Sequence, residues 1–261
     1  MRNTTSRTGH MPILSLLTTV FVFALVGSVP AATITNFTGT GGSIFDAGNW
    51  DDGLPDDTKV GKVAVDGRVG TGGFSGDETV DHTAGTMTGR QFNYTGSTDP
   101  GTWNMSGGRM EVEYLLANGT TINFSGGTVV LQDPGHYISA TNGGTIGVSG
   151  TAVLDATEGV DTPGSGTYEF SSGWSGYWIH GSFSESGTSW QDFLTGDTGA
   201  TATLDGSTIT DANFVPNGGV LLVDNVTGGG QELRIIPEPS SALLLLIGVA
   251  ALCFRRQRRR K

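Results

Sequence analysis

Between residues 32 and 236 the apolar side chains gather in short runs. Lys62-Val63-Ala64-Val65, Met110-Glu111-Val112-Glu113-Tyr114, Thr121-Ile122-Asn123-Phe124, Thr128-Val129-Val130-Leu131, Thr151-Ala152-Val153-Leu154 and Gly219-Val220-Leu221-Leu222-Val223 are each bounded by Gly, Asn, Asp or Ser. Runs of this length closed by turn formers are strand signals, and no apolar stripe recurs at helical spacing over a useful length. The segment is predicted to be all-β.

Within it a small unit recurs: an apolar residue, then Ser or Thr, then Gly. It occurs at Met87-Thr88-Gly89, Met105-Ser106-Gly107, Phe124-Ser125-Gly126 and Val148-Ser149-Gly150, with spacings of 18, 19 and 24 residues. The middle two extend over Trp103-Asn104-Met105-Ser106-Gly107-Gly108-Arg109-Met110 and Thr121-Ile122-Asn123-Phe124-Ser125-Gly126-Gly127-Thr128. Such spacing fits one coil of a β-solenoid, in which each turn buries its apolar residues only by stacking on the next. A β-sandwich of regular hairpins gives strands at comparable intervals and is the alternative.

The two ends follow a different pattern. Residues 1–31 place Arg2 and Arg7 ahead of an apolar stretch from Met11 to Gly27 and then Val29-Pro30-Ala31. A basic start, an apolar centre and small residues at the cleavage point describe a secretory signal peptide, with Val29 and Ala31 in the peptidase pocket and Ala32 beginning the mature chain. At the other end Pro237-Glu238-Pro239 precedes an uncharged run from Ser240 to Phe254, and Arg255, Arg256, Arg258, Arg259, Arg260 and Lys261 close the chain. As a helix the 15 residues of that run reach about 22 Å, short of the roughly 30 Å hydrocarbon core, so a crossing needs local thinning or snorkelling. The basic cluster acts as a membrane stop and holds its end in the cytoplasm.

Motif, apolar segment and Arg cluster, in that order, resemble the PEP-CTERM sorting signal. The resemblance implies recognition by an exosortase-type transpeptidase, cleavage near Pro237-Glu238-Pro239, and release or attachment at the surface of a Gram-negative bacterium that makes exopolysaccharide. The chain thus divides into a signal peptide (1–31), a secreted Gly/Thr-rich β body (32–236) and a sorting signal (237–261). The body opens on Phe45-Asp46-Ala47-Gly48-Asn49-Trp50-Asp51-Asp52-Gly53-Leu54-Pro55, which is similar to the opening segment of autotransporter-like β-repeat proteins. That likeness implies that Trp50 plugs the open end of the first coil.

Composition and charge narrow the function. Gly accounts for 43 of 261 residues, well above the usual share of roughly 7%, so the fold is rich in turns. The one cysteine, Cys253, lies in the C-terminal apolar run, and the body is therefore held without disulfides. Residues 32–236 carry 24 acids against 6 bases, a net charge of −18, which repels nucleic acid and suits an extracellular surface.

Catalytic signals are sparse. His82, His136 and His180 stand alone, without metal-ligand spacing, and no Gly-x-Ser-x-Gly elbow precedes a helix. Asp155, Glu158 and Asp161 form the closest acidic cluster, read as a solvated loop; a glycosidase would need two such groups about 5–10 Å apart across a bond. Asp51, Asp52, Asp56 and Asp57 lack the spacing of a calcium loop. No cofactor, metal or reaction is expected. The expected role is a structural or adhesive component of the cell surface or extracellular matrix, whose processing partners are signal peptidase and an exosortase. An exopolysaccharide-binding module, or a β-helix lyase or hydrolase, are the alternatives. For the binding alternative, Tyr168, Phe170, Trp174, Tyr177, Trp178, Phe183, Trp190 and Phe193 crowd into 26 residues. Alternation along Tyr177-Trp178 sends one ring outward, so Trp174, Tyr177 and Trp178 are candidate glycan contacts beside Glu169 and Glu185, while burial in the core is the competing reading.

Overall fold

The structure, a computed structural model, describes residues 32–72, 78–95, 101–132, 137–160, 165–182, 190–195, 199–210, 220–226 and 230–235. The body is a β-solenoid whose coils each give one strand to either of two facing sheets. Strand β1 (Thr33–Asn36) starts the first sheet. The next coil holds β2 (Lys59–Val63), β3 (Gly67–Arg68) and β4 (Thr71–Gly72). Then come β5 (Thr79–His82) with β6 (Thr86–Thr95), and β7 (Thr102–Met105) with β8 (Arg109–Asn118). The following coil carries β9 (Thr121–Phe124), β10 (Thr128–Leu131) and β11 (Ile138–Thr141). After β12 (Thr145–Val148) and β13 (Val153–Val160) come β14 (Thr167–Phe170) and β15 (Tyr177–Ser182). A short helix, α1 (Trp190–Thr195), leads to β16 (Thr201–Leu204), β17 (Ser207–Thr208), β18 (Val220–Val226) and β19 (Gly230–Ile235).

The first sheet runs β1-β2-β5-β7-β9-β12-β14-β16-β17 and the second β18-β19-β15-β13-β10-β8-β6-β3. Pairing is parallel until the C-terminal end, where β17, β18 and β19 turn antiparallel. The chain adopts the solenoid that the repeat spacing predicts, and not the alternative sandwich. The far halves of β6 and β8 pair with β4 and β11, which extends the second sheet around a corner.

Alternation explains which face is which. Inward columns stack like on like: Val80, Trp103, Ile122, Ile146, Tyr168 and Ala202 in the first sheet, and Met87, Met110, Val129, Leu154, Trp178 and Leu233 in the second. All twelve are buried. Burying apolar surface at about 25 cal/mol per Å² along continuous columns is what holds coils together without a disulfide.

The recurring Ser-Gly unit marks coil corners, with one correction. Val63, His82, Met105, Phe124, Val148, Phe170 and Leu204 form one stacked column, at intervals of 19, 23, 19, 24, 22 and 34 residues. Met87-Thr88-Gly89 lies on β6 in the other sheet and is not a member. Coil length varies because corners differ; the longest coil contains α1.

The corner glycines answer to stacking. A Cβ on Gly126 would stand 2.4 Å from the Ser106 carbonyl oxygen of the coil before, and one on Gly150, itself at φ +57°, 2.1 Å from that of Ser125. Backbone cannot yield as a side-chain tip can. Gly126→Ala should therefore cost about 1–3 kcal/mol in urea unfolding, whereas Gly173→Ala, where the nearest atom is the Ser171 hydroxyl at 3.6 Å, should change stability by less than about 0.5 kcal/mol.

Candidate functional site

The outer face of the first sheet is a regular polar lattice. Thr79, Thr102, Thr121, Thr145, Thr167 and Thr201 stand in register on successive rungs, about 4.8 Å apart. Two residues along each strand runs a second outward column: Lys62, Asp81, Asn104, Asn123, Gly147, Glu169 and Thr203. Its amides form a ladder, Asn104 Nδ2 donating to Asp81 Oδ1 at 3.1 Å and Asn123 Nδ2 to Asn104 Oδ1 at 3.0 Å. At Gly147 the ladder stops for want of a side chain.

That gap opens a groove of about 330 Å³, within the roughly 300–1,000 Å³ of small-ligand sites. Its walls are Asn123, Glu169 and Thr203 on neighbouring rungs and Ser149, Ser171 and Asp205 at the adjoining corner. A Cβ on Gly147 would meet Asn123 Oδ1 at 2.5 Å, so that oxygen borders the open space. Asp205 is partly committed: Oδ1 accepts the Ser172 N–H at 3.0 Å, a bond that lowers the carboxyl's pKa.

The residues singled out from sequence fall elsewhere. Trp174 is 0% exposed and Trp178 1%. The Trp174 indole N–H donates to the Ala152 carbonyl at 2.8 Å, and the Trp178 ring packs against Tyr168, Phe170 and Trp190. Neither offers a face to a sugar, because both rings are buried among the apolar side chains of the core. Tyr177 does face outward, on the second sheet, but the Arg234 guanidinium lies 5.7 Å from its ring centre, and Glu169 is on the other sheet. Glu185 and Phe183 lie outside the described residues.

Asp155 and Glu158 sit on β13 rather than on a loop, Glu158 within the stretch where pairing with β15 shifts register between Ala156 and Val160; Asp161 lies outside the described residues. Asp51 accepts from the Asn36 N–H at 2.6 Å and Asn36 Nδ2 at 2.8 Å, Asp56 from the Thr58 N–H at 2.9 Å, and Asp52 pairs with Lys59 at 3.5 Å. These bonds lower the pKa of Asp51 and Asp56, and they knit the opening segment to β1 and β2. Asp57 is exposed. Trp50 is buried beside Phe37, ring centres 5.4 Å apart, with its indole N–H on the Ile44 carbonyl at 2.8 Å. His136 lies outside the described residues, and His180 is on β15.

The tail begins where the body ends. Ile235, the buried last residue of β19, is held in a strand paired on both sides, by β15 and β18. Val29 and Ala31, like Pro237, Glu238, Pro239, Arg255, Arg256, Arg258, Arg259, Arg260 and Lys261, lie outside the described residues, and Ala32 is the first described residue. Among the described residues no helix is long and apolar enough to cross a membrane; the run 240–254 lies outside them. Residues 236–260 match the PEP-CTERM protein-sorting motif. No curated protein and no solved structure matches the chain. The motif makes the chain an exosortase substrate, exported and directed to the cell surface.

His82 is a core group rather than a site. It fills the inward column between Val63 and Met105, its Nε2 is 3.3 Å from the Gly85 carbonyl oxygen, and burial lowers its pKa below the ordinary 6.5. The unfolded chain takes up this proton near pH 6.5 and the folded chain only at lower pH. The resulting stability is full above about pH 6.5 and declines as pH falls toward the folded value, by about 1.4 kcal/mol per unit of depression. Urea unfolding at pH 7, 6 and 5 should show that decline, and His82→Met, which matches Met105 on the next rung, should flatten it.

Proposed function

We propose that the mature protein is a structural or adhesive component of the cell surface or extracellular matrix with no reaction of its own. The observation that carries this reading is the sorting motif set directly behind the last strand of a self-supporting solenoid. Processing near residues 237–239 leaves β19 whole, so the surface receives the body with its core intact. The placement of candidate acid–base groups supports a non-catalytic body. His82 is buried and Asp155 and Glu169 stand on different sheets. Asp51 is spent on Asn36 of β1 and Asp56 on the turn at Thr58.

Two outcomes test the route of export. Replacing Pro237, Glu238 and Pro239 by alanine should leave the apolar segment able to insert but stop processing, so that the precursor accumulates in the membrane fraction; normal processing of that variant would refute the sorting reading. N-terminal sequencing of the exported protein should begin at Ala32 or Thr33, and an intact Met1 on exported material would refute the signal-peptide assignment.

A further inference from the structure

We propose that the groove over Gly147 binds a glycan chain of neutral or amino sugars laid along the solenoid axis. The inference deepens the surface reading above and rests on it, since it names the polymer that an exported, non-catalytic body would hold.

The groove crosses four rungs, β9, β12, β14 and β16, and so runs parallel to the stacking axis. Its polar groups recur every rung, about 4.8 Å apart, a repeat comparable to the advance of one sugar in an extended chain. A linear polymer of similar units meets such a lattice in register.

The chemistry of the walls selects hydroxyl-rich ligands. Asn123 spends Nδ2 on the ladder, while Oδ1 borders the space where a rung-147 amide would have donated. A ligand O–H or N–H set there completes the ladder. Glu169 is exposed, and no described residue hydrogen-bonds its carboxylate, so it accepts strong charge-assisted bonds from ligand hydroxyl or ammonium groups. Thr203 supplies a hydroxyl that both donates and accepts, Ser149 Oγ, which donates to the Phe124 carbonyl at 3.5 Å, keeps its acceptor capacity, and Ser171 Oγ, which accepts the Gly173 N–H at 3.2 Å, keeps its proton to donate. The floor at Gly147 is bare backbone, which lets a ring lie flat.

Charge then separates glycan classes. Glu169 and Asp205 flank a groove in a body of net charge −18, so uronate chains are repelled and ammonium-bearing chains attracted.

Titration calorimetry on the full chain, purified in detergent, can use three probes: cellohexaose, a glucosamine hexamer and hexagalacturonate. The first two should bind, the glucosamine hexamer more tightly, and hexagalacturonate at least tenfold more weakly than either. Gly147→Asn extends the amide ladder and fills the groove; its φ is not in the left-handed range and its Cβ meets only the tip of Asn123. It should weaken both binding probes at least tenfold while the melting temperature holds or rises. Glu169→Gln keeps the shape but removes the charge, so it should weaken the glucosamine hexamer more than cellohexaose and erase the preference between them. The proposal is overturned by binding of none of the probes, by unchanged binding in folded Gly147→Asn, or by hexagalacturonate binding as tightly as the others. Chromatography of the same mixtures distinguishes the underlying reading: shorter oligomers appearing with wild-type protein would refute a non-catalytic body while leaving the groove in place, and absent binding would leave export and surface placement untouched.

Discussion

Every feature of this body depends on parallel stacking of one coil on the next at a fixed spacing. With Cys253 in the tail and no other cysteine, the coils are joined by ladder hydrogen bonds and buried columns alone. The ladder continues through the corners, where Thr121 N–H donates to the Gly101 carbonyl at 3.0 Å, Thr145 to Thr120 at 2.8 Å and Thr167 to Gly144 at 3.0 Å. Stacking forces each position to be compatible with its equivalent one coil away. Apolar columns satisfy this by burial, Asn columns by amide-to-amide bonds, and corners by glycine where a Cβ would strike the carbonyl beneath.

The same constraint governs charge. A body at −18 cannot place carboxylates on successive rungs, because like charges about 4.8 Å apart destabilise a sheet. In the column Arg68, Thr88, Glu111, Val130, Asp155, Ile179 and Glu232, on the face opposite the core and with Glu232 itself buried, an uncharged residue separates each acid from the next. On the first sheet, Asn104, Asn123 and Gly147 stand between Asp81 and Glu169. The acidity is thus spread over the surface, and a groove between two acids is a local departure from that spacing.

A stack must also end. An open parallel end would present bare ladder and apolar side chains to another copy. At the N-terminal end Phe37, Ile44 and Trp50 close over the first coil. At the other, α1 lays Trp190 against Trp178 at 5.2 Å and Phe193 against Tyr168 at 4.6 Å, while β17, β18 and β19 break the parallel order. Strand β19 therefore has two duties, covering the core with Leu233 and Ile235 and leading into the sorting motif. Cleavage inside the motif removes none of its pairing, so the requirements of the fold and of export do not conflict.

What the sequence reveals follows from the same geometry. Strand runs and glycine punctuation are legible because they are local, and Tyr177 and Trp178 had to part company because adjacent strand residues face opposite ways. Which of the two went inward was decided by Leu154 and Leu233 on neighbouring rungs, and those lie 24 and 55 residues away. The groove was hidden more deeply, since it is made by a missing side chain in a column whose members come from separate coils of unequal length. One local signal does reach it. Thr79-Val80-Asp81-His82, Thr102-Trp103-Asn104-Met105, Thr121-Ile122-Asn123-Phe124, Thr145-Ile146-Gly147-Val148, Thr167-Tyr168-Glu169-Phe170 and Thr201-Ala202-Thr203-Leu204 share an initial threonine and alternate inward and outward positions. Aligning them on that threonine, whatever the corner lengths between, puts Gly147 where its neighbours carry polar side chains. The threonine column is thus the register mark of the solenoid, and the exception at its third position locates the groove.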